Sequence, residues 1–168
     1  MDYLQYQKKI NDVIIKCPIE TGIEILVYNL LDENIDMETY SLVDINQIWK
    51  KIDGRLSTVS GVPDIAILSP DFVFKKETVG KVYGFVEVKA AGVSLRDTDQ
   101  VIGQMKKTSH FIYTNGIVWK YYCSQKLKWE KNLCVDKVPY SISEIKIDKD
   151  EFEQLKKEIQ FISWKSDF

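Results

Sequence analysis

Two short apolar runs in this chain carry ionisable residues where a β-strand would bury them. The run Gly84-Phe85-Val86-Glu87-Val88-Lys89 is β-branched and aromatic, yet it holds a carboxylate and an ammonium two positions apart. Alternation along a strand puts Glu87 and Lys89 on one face and Val86 and Val88 on the other. Ionisable groups in such a place are costly unless they are paired or bind metal. The earlier run, Gly61-Val62-Pro63-Asp64-Ile65-Ala66-Ile67-Leu68, sets Pro63-Asp64 at the mouth of a second apolar strand, closed by Ser69-Pro70-Asp71. The expectation is that the two strands lie side by side and bring these charges together, the alternative being an ion pair on a solvated sheet face.

The remaining periodicities place helices around that sheet. Leu4, Ile10, Val13 and Ile14 predict a helix from Tyr3 to Ile15, interrupted by Pro18. Ile23, Leu26, Val27, Leu30 and Leu31 form the apolar stripe of a second, Glu20 to Leu31. A short third helix is read over Ile45 to Ile52, stopped by Asp53-Gly54, and a fourth over Leu95 to Lys107. His110–Thr114 and Ile117–Cys123 are strand-like and flank Asn115-Gly116, the favoured pair of a two-residue hairpin turn. Leu127–Val135 reads as a further strand and Asp148–Phe161 as a closing helix. The order implies a mixed α+β core rather than regular βαβ winding.

At 168 residues, 45% hydrophobic and 29% charged, the chain suits one folded domain spanning 1–168. The net charge of −2 excludes a histone-like basic protein, but it hides a gradient. Residues 1–70 hold six basic and eleven acidic side chains, residues 71–131 eleven and six, and residues 132–168 six and eight. Lysines outnumber arginines 21 to two, which favours phosphate contact over the reading of base edges. Three cysteines without a CxxC pair argue against a disulfide framework or a cysteine zinc site. The first residues lack the apolar core of a signal peptide, and no apolar run approaches a membrane span, so a soluble cytoplasmic protein is expected.

Two carboxylates and an ammonium converging on adjacent strands suit phosphodiester hydrolysis. Hard oxygen ligands favour Mg²⁺, which keeps several waters and leans on one or two carboxylates and the substrate phosphate. Such a cation polarises the phosphoryl oxygen and lowers the pKa of a bound water. Lys89 would orient that water or neutralise charge on the transition state. Neither half of the pattern is selective alone, since Glu144-Ile145-Lys146 and Pro70-Asp71 repeat the halves elsewhere. Strand-borne Pro-Asp, then strand-borne Glu-x-Lys, then a helix is much more selective.

In these residues the sequence resembles the PD-(D/E)XK nuclease superfamily, whose restriction-endonuclease-like fold is a mixed central β-sheet flanked by helices. Gly103-Gln104-Met105-Lys106-Lys107, followed by His110-Phe111-Ile112-Tyr113-Thr114-Asn115-Gly116-Ile117-Val118-Trp119-Lys120-Tyr121-Tyr122, is similar to the glutamine-bearing helix and Thr-Asn-Gly hairpin in nuclease domains of type I restriction motor subunits. The likeness covers about residues 20–123. It implies that Asp64 and Glu87 bind Mg²⁺, with Mn²⁺ as a substitute and the Val88 carbonyl as a further ligand, while Lys89 assists the attacking water. It also implies a glutamate on the preceding helix, for which Glu20 is narrowly preferred over Glu24. The helix glutamine is matched by Gln104, with Gln100 one turn earlier competing for the role.

The expectation is therefore a Mg²⁺-dependent nuclease, with DNA the expected substrate and RNA not distinguished from it by the sequence, acting alone, as a homodimer or as part of a larger restriction or defence complex. No GxxxxGK[ST] loop is present, so the chain carries no motor of its own. Two alternatives remain at this level: a catalytically silent nuclease fold that binds nucleic acid or assembles with partners, and a hydrolase of free nucleotides. The single histidine, His110, is read as structural, and Trp119, Tyr121 and Tyr122 as core.

Overall fold

In the computed structural model, residues 1–48, 53–136 and 143–165 are described. The first helix, α1 (Tyr3–Lys16), starts on a reciprocal cap: Asp2 accepts from the Gln5 N–H and the Gln5 side chain accepts from the Asp2 N–H. It ends ahead of Pro18 and buries Tyr6, Ile10 and Ile14. The second, α2 (Glu20–Asp32), buries the stripe expected of it together with Glu24. Next come β1 (Ser41–Asp44), β2 (Ile65–Leu68), β3 (Val82–Val88), α3 (Asp99–Met105), β4 (His110–Thr114), β5 (Val118–Cys123), β6 (Lys126–Asn132) and α4 (Lys149–Gln160).

The six strands lie in chain order, β1 to β6, in one mixed sheet. All neighbours are antiparallel except β3 and β4, which run parallel and are joined through α3. Alternation sorts the side chains into two cores. Ile65, Ile67, Val86, Val88, Ile112 and Trp119 face α1, α2 and α4. Ala66, Leu68, Phe85, Phe111, Tyr113 and Tyr122 face Val101 and Met105 of α3, with Ile45 and Leu56 beside them. The α+β arrangement read from the sequence, a mixed central sheet flanked by helices, is the one observed. No described helix is long and apolar enough to cross a membrane.

Three local expectations are corrected. Residues 45–48 of the short helix read over Ile45–Ile52 form a turn, and residues 49–52 lie outside the described part. The strand before them, β1, was not read; only Leu42 of its four residues is buried, too little for a periodic signal. The helix expected over Leu95–Lys107 begins only at Asp99, because Thr98 caps it by accepting from the Val101 N–H. The residues before it are held as a loop over β4 and β5: Lys120 donates to the Leu95 carbonyl, Tyr113 to that of Arg96, and Tyr122 to Asp97.

The β4–β5 turn is not centred on Asn115-Gly116: beyond the Thr114↔Trp119 pair the Asn115 N–H donates to the Val118 carbonyl at 3.3 Å, which leaves Gly116 and Ile117 at the tip. Asn115 is fully buried, and its carboxamide oxygen accepts from the N–H groups of Ile117 and Val118. Its amide donates to the Val93 carbonyl at 2.8 Å, tying the hairpin to the chain that follows β3. Gly116 takes φ +81°, and a Cβ there would press on Ile23 at 3.0 Å.

The long connection from β2 to β3 is held by one ion pair. Arg55 binds Asp53 at 2.7 Å, donates to the carbonyls of Val73 and Val79, and stacks on Phe72. The guanidinium holds the Asp53 carboxyl down at about 2, against the burial that opposes it. Arg55→Ala strands a buried carboxylate and several carbonyls, so a loss of about 3 kcal/mol is expected in urea unfolding.

Candidate active site

Asp64 stands at the entrance to β2, where the ladder to β3 begins. Its N–H donates to the Val86 carbonyl at 3.2 Å, and its own carbonyl accepts from Ile45 at 2.8 Å. The side chain accepts the Val88 N–H on Oδ2 at 2.6 Å. Nothing among the described residues donates to Oδ1.

Glu87 lies on the α3 face of β3, with 1% of its surface exposed. Lys89 donates to its Oε1 at 2.5 Å, as expected from the two-residue spacing. Gln100 also donates to Oε1, at 3.0 Å, and Gln104 donates to Oε2 at 2.8 Å. The two glutamines read as competitors are thus both used, one on each carboxylate oxygen. They are one helical turn apart on α3, so their amides project in the same direction. Gln104 is fully buried, and its Oε1 has no partner. Gln104→Leu removes a donor from a buried carboxylate, so a loss of about 2 kcal/mol in thermal stability is expected.

The carboxylates crowd one another. Burial, then the charge of Glu87, pushes the Asp64 carboxyl up to about 8, and Glu24 adds to the rise. The Val88 N–H and the Lys89 charge oppose it. Burial draws the Lys89 ammonium down, but its hydrogen bond to Glu87 and the charges of Glu87, Glu20 and Asp64 outweigh this. The net effect holds Lys89 above its usual value, so it is a cation at neutral pH.

Both helix glutamates contribute, in different positions. Glu24 is buried and accepts the Asn46 side-chain amide. Burial raises its carboxyl, and Asp44, Glu20 and Glu87 raise it further, while the Asn46 bond opposes. Glu20 remains exposed in the first turn of α2. Asn46 gave no signal in the sequence; only the turn after β1 brings it to Glu24.

The donor set fits a hard divalent cation. Asp64 offers a free Oδ1, and Glu87 uses three of roughly four lone-pair positions of its carboxylate. The parallel pairing places the Lys89 N–H on Thr114 of β4 at 2.8 Å. Main-chain groups alternate sides along a strand, so Val88 faces the Asp64 side with its carbonyl as well as with the N–H it donates there. Among the described residues no three His, Cys, Asp or Glu side chains form a group that encloses a metal by themselves. Mg²⁺, which completes its shell with water and substrate oxygen, does not require one.

Other candidates lie away from the site. His110, at the far end of β4, pairs its Nδ1 with the Tyr121 hydroxyl at 2.7 Å and packs against Trp164. Trp119, Tyr121 and Tyr122 are buried.

No family model and no curated protein matches the sequence. Among solved structures, the chain is similar to one in the cryo-EM structure of a DrdV–DNA complex, with a TM-score of 0.59 and 13% identity over 95% of each chain. That likeness is one of fold.

Proposed function

We propose that this chain is a divalent-cation-dependent nuclease that hydrolyses phosphodiester bonds in DNA. The observation that carries the reading is the meeting of Asp64, Glu87 and Lys89 at the ends of β2 and β3, with Glu87 held from α3 by Gln100 and Gln104. Asp64, Glu87 and the Val88 carbonyl would hold the cation, which when bound supplies charge neutralisation and a Lewis acid at a phosphoryl oxygen. Glu24 rather than Glu20 is taken as the helix carboxylate of this cluster, because Glu24 is buried and Glu20 is exposed.

Lys89 stays protonated, so its part is that of a donor. It orients the attacking water by donating to it and stabilises the negative charge that builds on the phosphorus oxygens. Gln100 and Gln104 fix Glu87 so that its carboxylate does not reorganise during the reaction. DNA is favoured by the Lys-rich middle third of the sequence and by the similar fold found in a DNA complex. The resemblance to nuclease domains of restriction motor subunits supports a role in a DNA-cutting defence system.

The test is incubation with plasmid, linear duplex, single-stranded DNA and RNA, each with Mg²⁺ and with EDTA. Cleavage of DNA with Mg²⁺ and none with EDTA is expected. Absence of cleavage from all four substrates with either Mg²⁺ or Mn²⁺ would overturn the proposal.

A further inference from the structure

The chain segment that leads into Asp64 makes a rigid turn whose tip serves no evident purpose in the fold. Thr58 and Gly61 exchange main-chain bonds at 2.8 and 3.3 Å, and the Thr58 hydroxyl closes the turn by bonding the Gly61 carbonyl at 2.8 Å and the Ser60 N–H at 3.1 Å. Val59, at the tip, is 100% exposed. A turn this well bonded holds an apolar side chain out in water rather than letting it fold back.

The turn is seated on α3. Ser60 donates to the Asp99 carbonyl at 3.3 Å, and a Cβ on Gly103 would collide with the Ser60 hydroxyl at 1.9 Å. A glycine inside a helix is unfavourable for the helix itself, and here its absence of side chain is what lets the turn approach. Between the turn and the last residues of α3 lies a groove of about 390 Å³, lined by Ser57, Thr58, Val59, Gly103, Lys106 and Lys107. Both lysines are exposed, and neither has an ion-pair partner among the described residues.

The turn that walls this groove leads, through Gly61, to the neighbourhood of the candidate active site. A Cβ on Gly61 would lie 3.9 Å from the Gln100 amide that holds Glu87. From Gln100 to Lys106, α3 rises roughly 9 Å at about 1.5 Å per residue. That spans two to three phosphates of one DNA strand, at about 3.4 Å of axis each.

We infer that this groove carries the DNA strand away from the scissile phosphate, with Lys106 and Lys107 on successive backbone phosphates and Val59 against a sugar or base face. The inference rests on the nuclease reading for the position of the scissile bond, and the groove itself is tested separately. The probe is a fluorescein-labelled DNA duplex, with anisotropy followed across a KCl series in EDTA so that no cleavage intervenes.

The double variant Lys106→Gln/Lys107→Gln is expected to bind at least tenfold more weakly, with a salt slope shallower by about two. Val59→Ser is expected to weaken binding about threefold and leave the slope unchanged, since it carries no charge. Lys8→Gln/Lys9→Gln, on α1 across the sheet, makes the same change in net charge and is expected to leave the slope nearly as it was. Circular dichroism and thermal midpoints of the exposed-site variants should match the parent. Wild-type slope in the Lys106/Lys107 variant, or equal weakening by the α1 variant, overturns the groove. DNA binding with the expected slopes but no cleavage by the wild-type chain with Mg²⁺ upholds the groove and removes the nuclease reading.

Discussion

Asp64→Ala and Lys89→Ala are each expected to lower Mg²⁺-dependent DNA cleavage on the order of a thousandfold while the protein stays folded. The two losses have different causes. Asp64 presents the free Oδ1 and sits at the mouth of β2, so on the proposed reading its removal takes away a cation ligand. Lys89 donates to Glu87 and remains charged, so on the proposed reading its removal takes away the cation that would face the reacting phosphate. Raising the Mg²⁺ concentration should therefore recover part of the activity when the ligand set is weakened conservatively, as in Asp64→Asn, and none for Lys89→Ala. Lys89→Arg keeps a cation but not its compact shape, and little rescue is expected. Cleavage rates measured over a Mg²⁺ series separate these outcomes. Wild-type rates in both alanine variants would sink the assignment of the site.

Stability should fall with rising pH in the cation-free protein, and Asp64 should be the main reason. Its carboxyl is held at about 8 against an ordinary 3.8, so between these values the folded protein binds a proton that the unfolded chain releases. Unfolding is then favoured progressively as pH rises through that window, with the full penalty present above about 8 and absent below about 4. The cumulative effect is on the order of a few kcal/mol. Asp64→Asn removes the titrating group, so its thermal midpoint in EDTA should exceed that of the wild type at pH 8 and converge with it near pH 5. Mg²⁺ should raise the wild-type midpoint at pH 8 and leave the variant nearly unmoved, because a bound cation relieves the same repulsion. A wild-type midpoint that is flat from pH 5 to pH 8 would contradict this account. The pattern fits a site built for charge that the protein alone does not balance.

Much of this arrangement was legible in the sequence because it follows from alternation. Glu87 and Lys89 share a face with Val86 and Val88 opposite, and the structure places them so. Asp64 was distinguished from Asp71 by the apolar run it leads, and that run is β2. What was hidden depends on contacts between distant segments. Glu20 and Glu24 lie on one helix face at the same spacing that makes residues neighbours, and only the approach of Asn46 and the sheet end buries one of them. Gln104 was matched to the helix glutamine with Gln100, one turn earlier, as its competitor, and Glu87 accepts from both. The Asn115-Gly116 pair fits a hairpin turn on local grounds, but the buried Asn115 side chain turns inward to bind the chain after β3. The seating of Ser60 on Gly103 left no trace beyond a glycine in a helix.

The last strand, β6, forms one edge of the sheet. Its exposed positions include Lys126, Lys128 and Glu130, and its pairing with β5 slips between Tyr121 and Tyr122. A foreign strand laid along that edge would find its row of amides out of step and would have to desolvate ammonium groups to reach them. The edge is long enough to template a growing stack of strands, but its lysines and its irregular spacing deny that stack a flat, neutral surface. A concentrated solution of the folded protein is thereby protected, on this side, from the sheet-to-sheet propagation that leads to fibres.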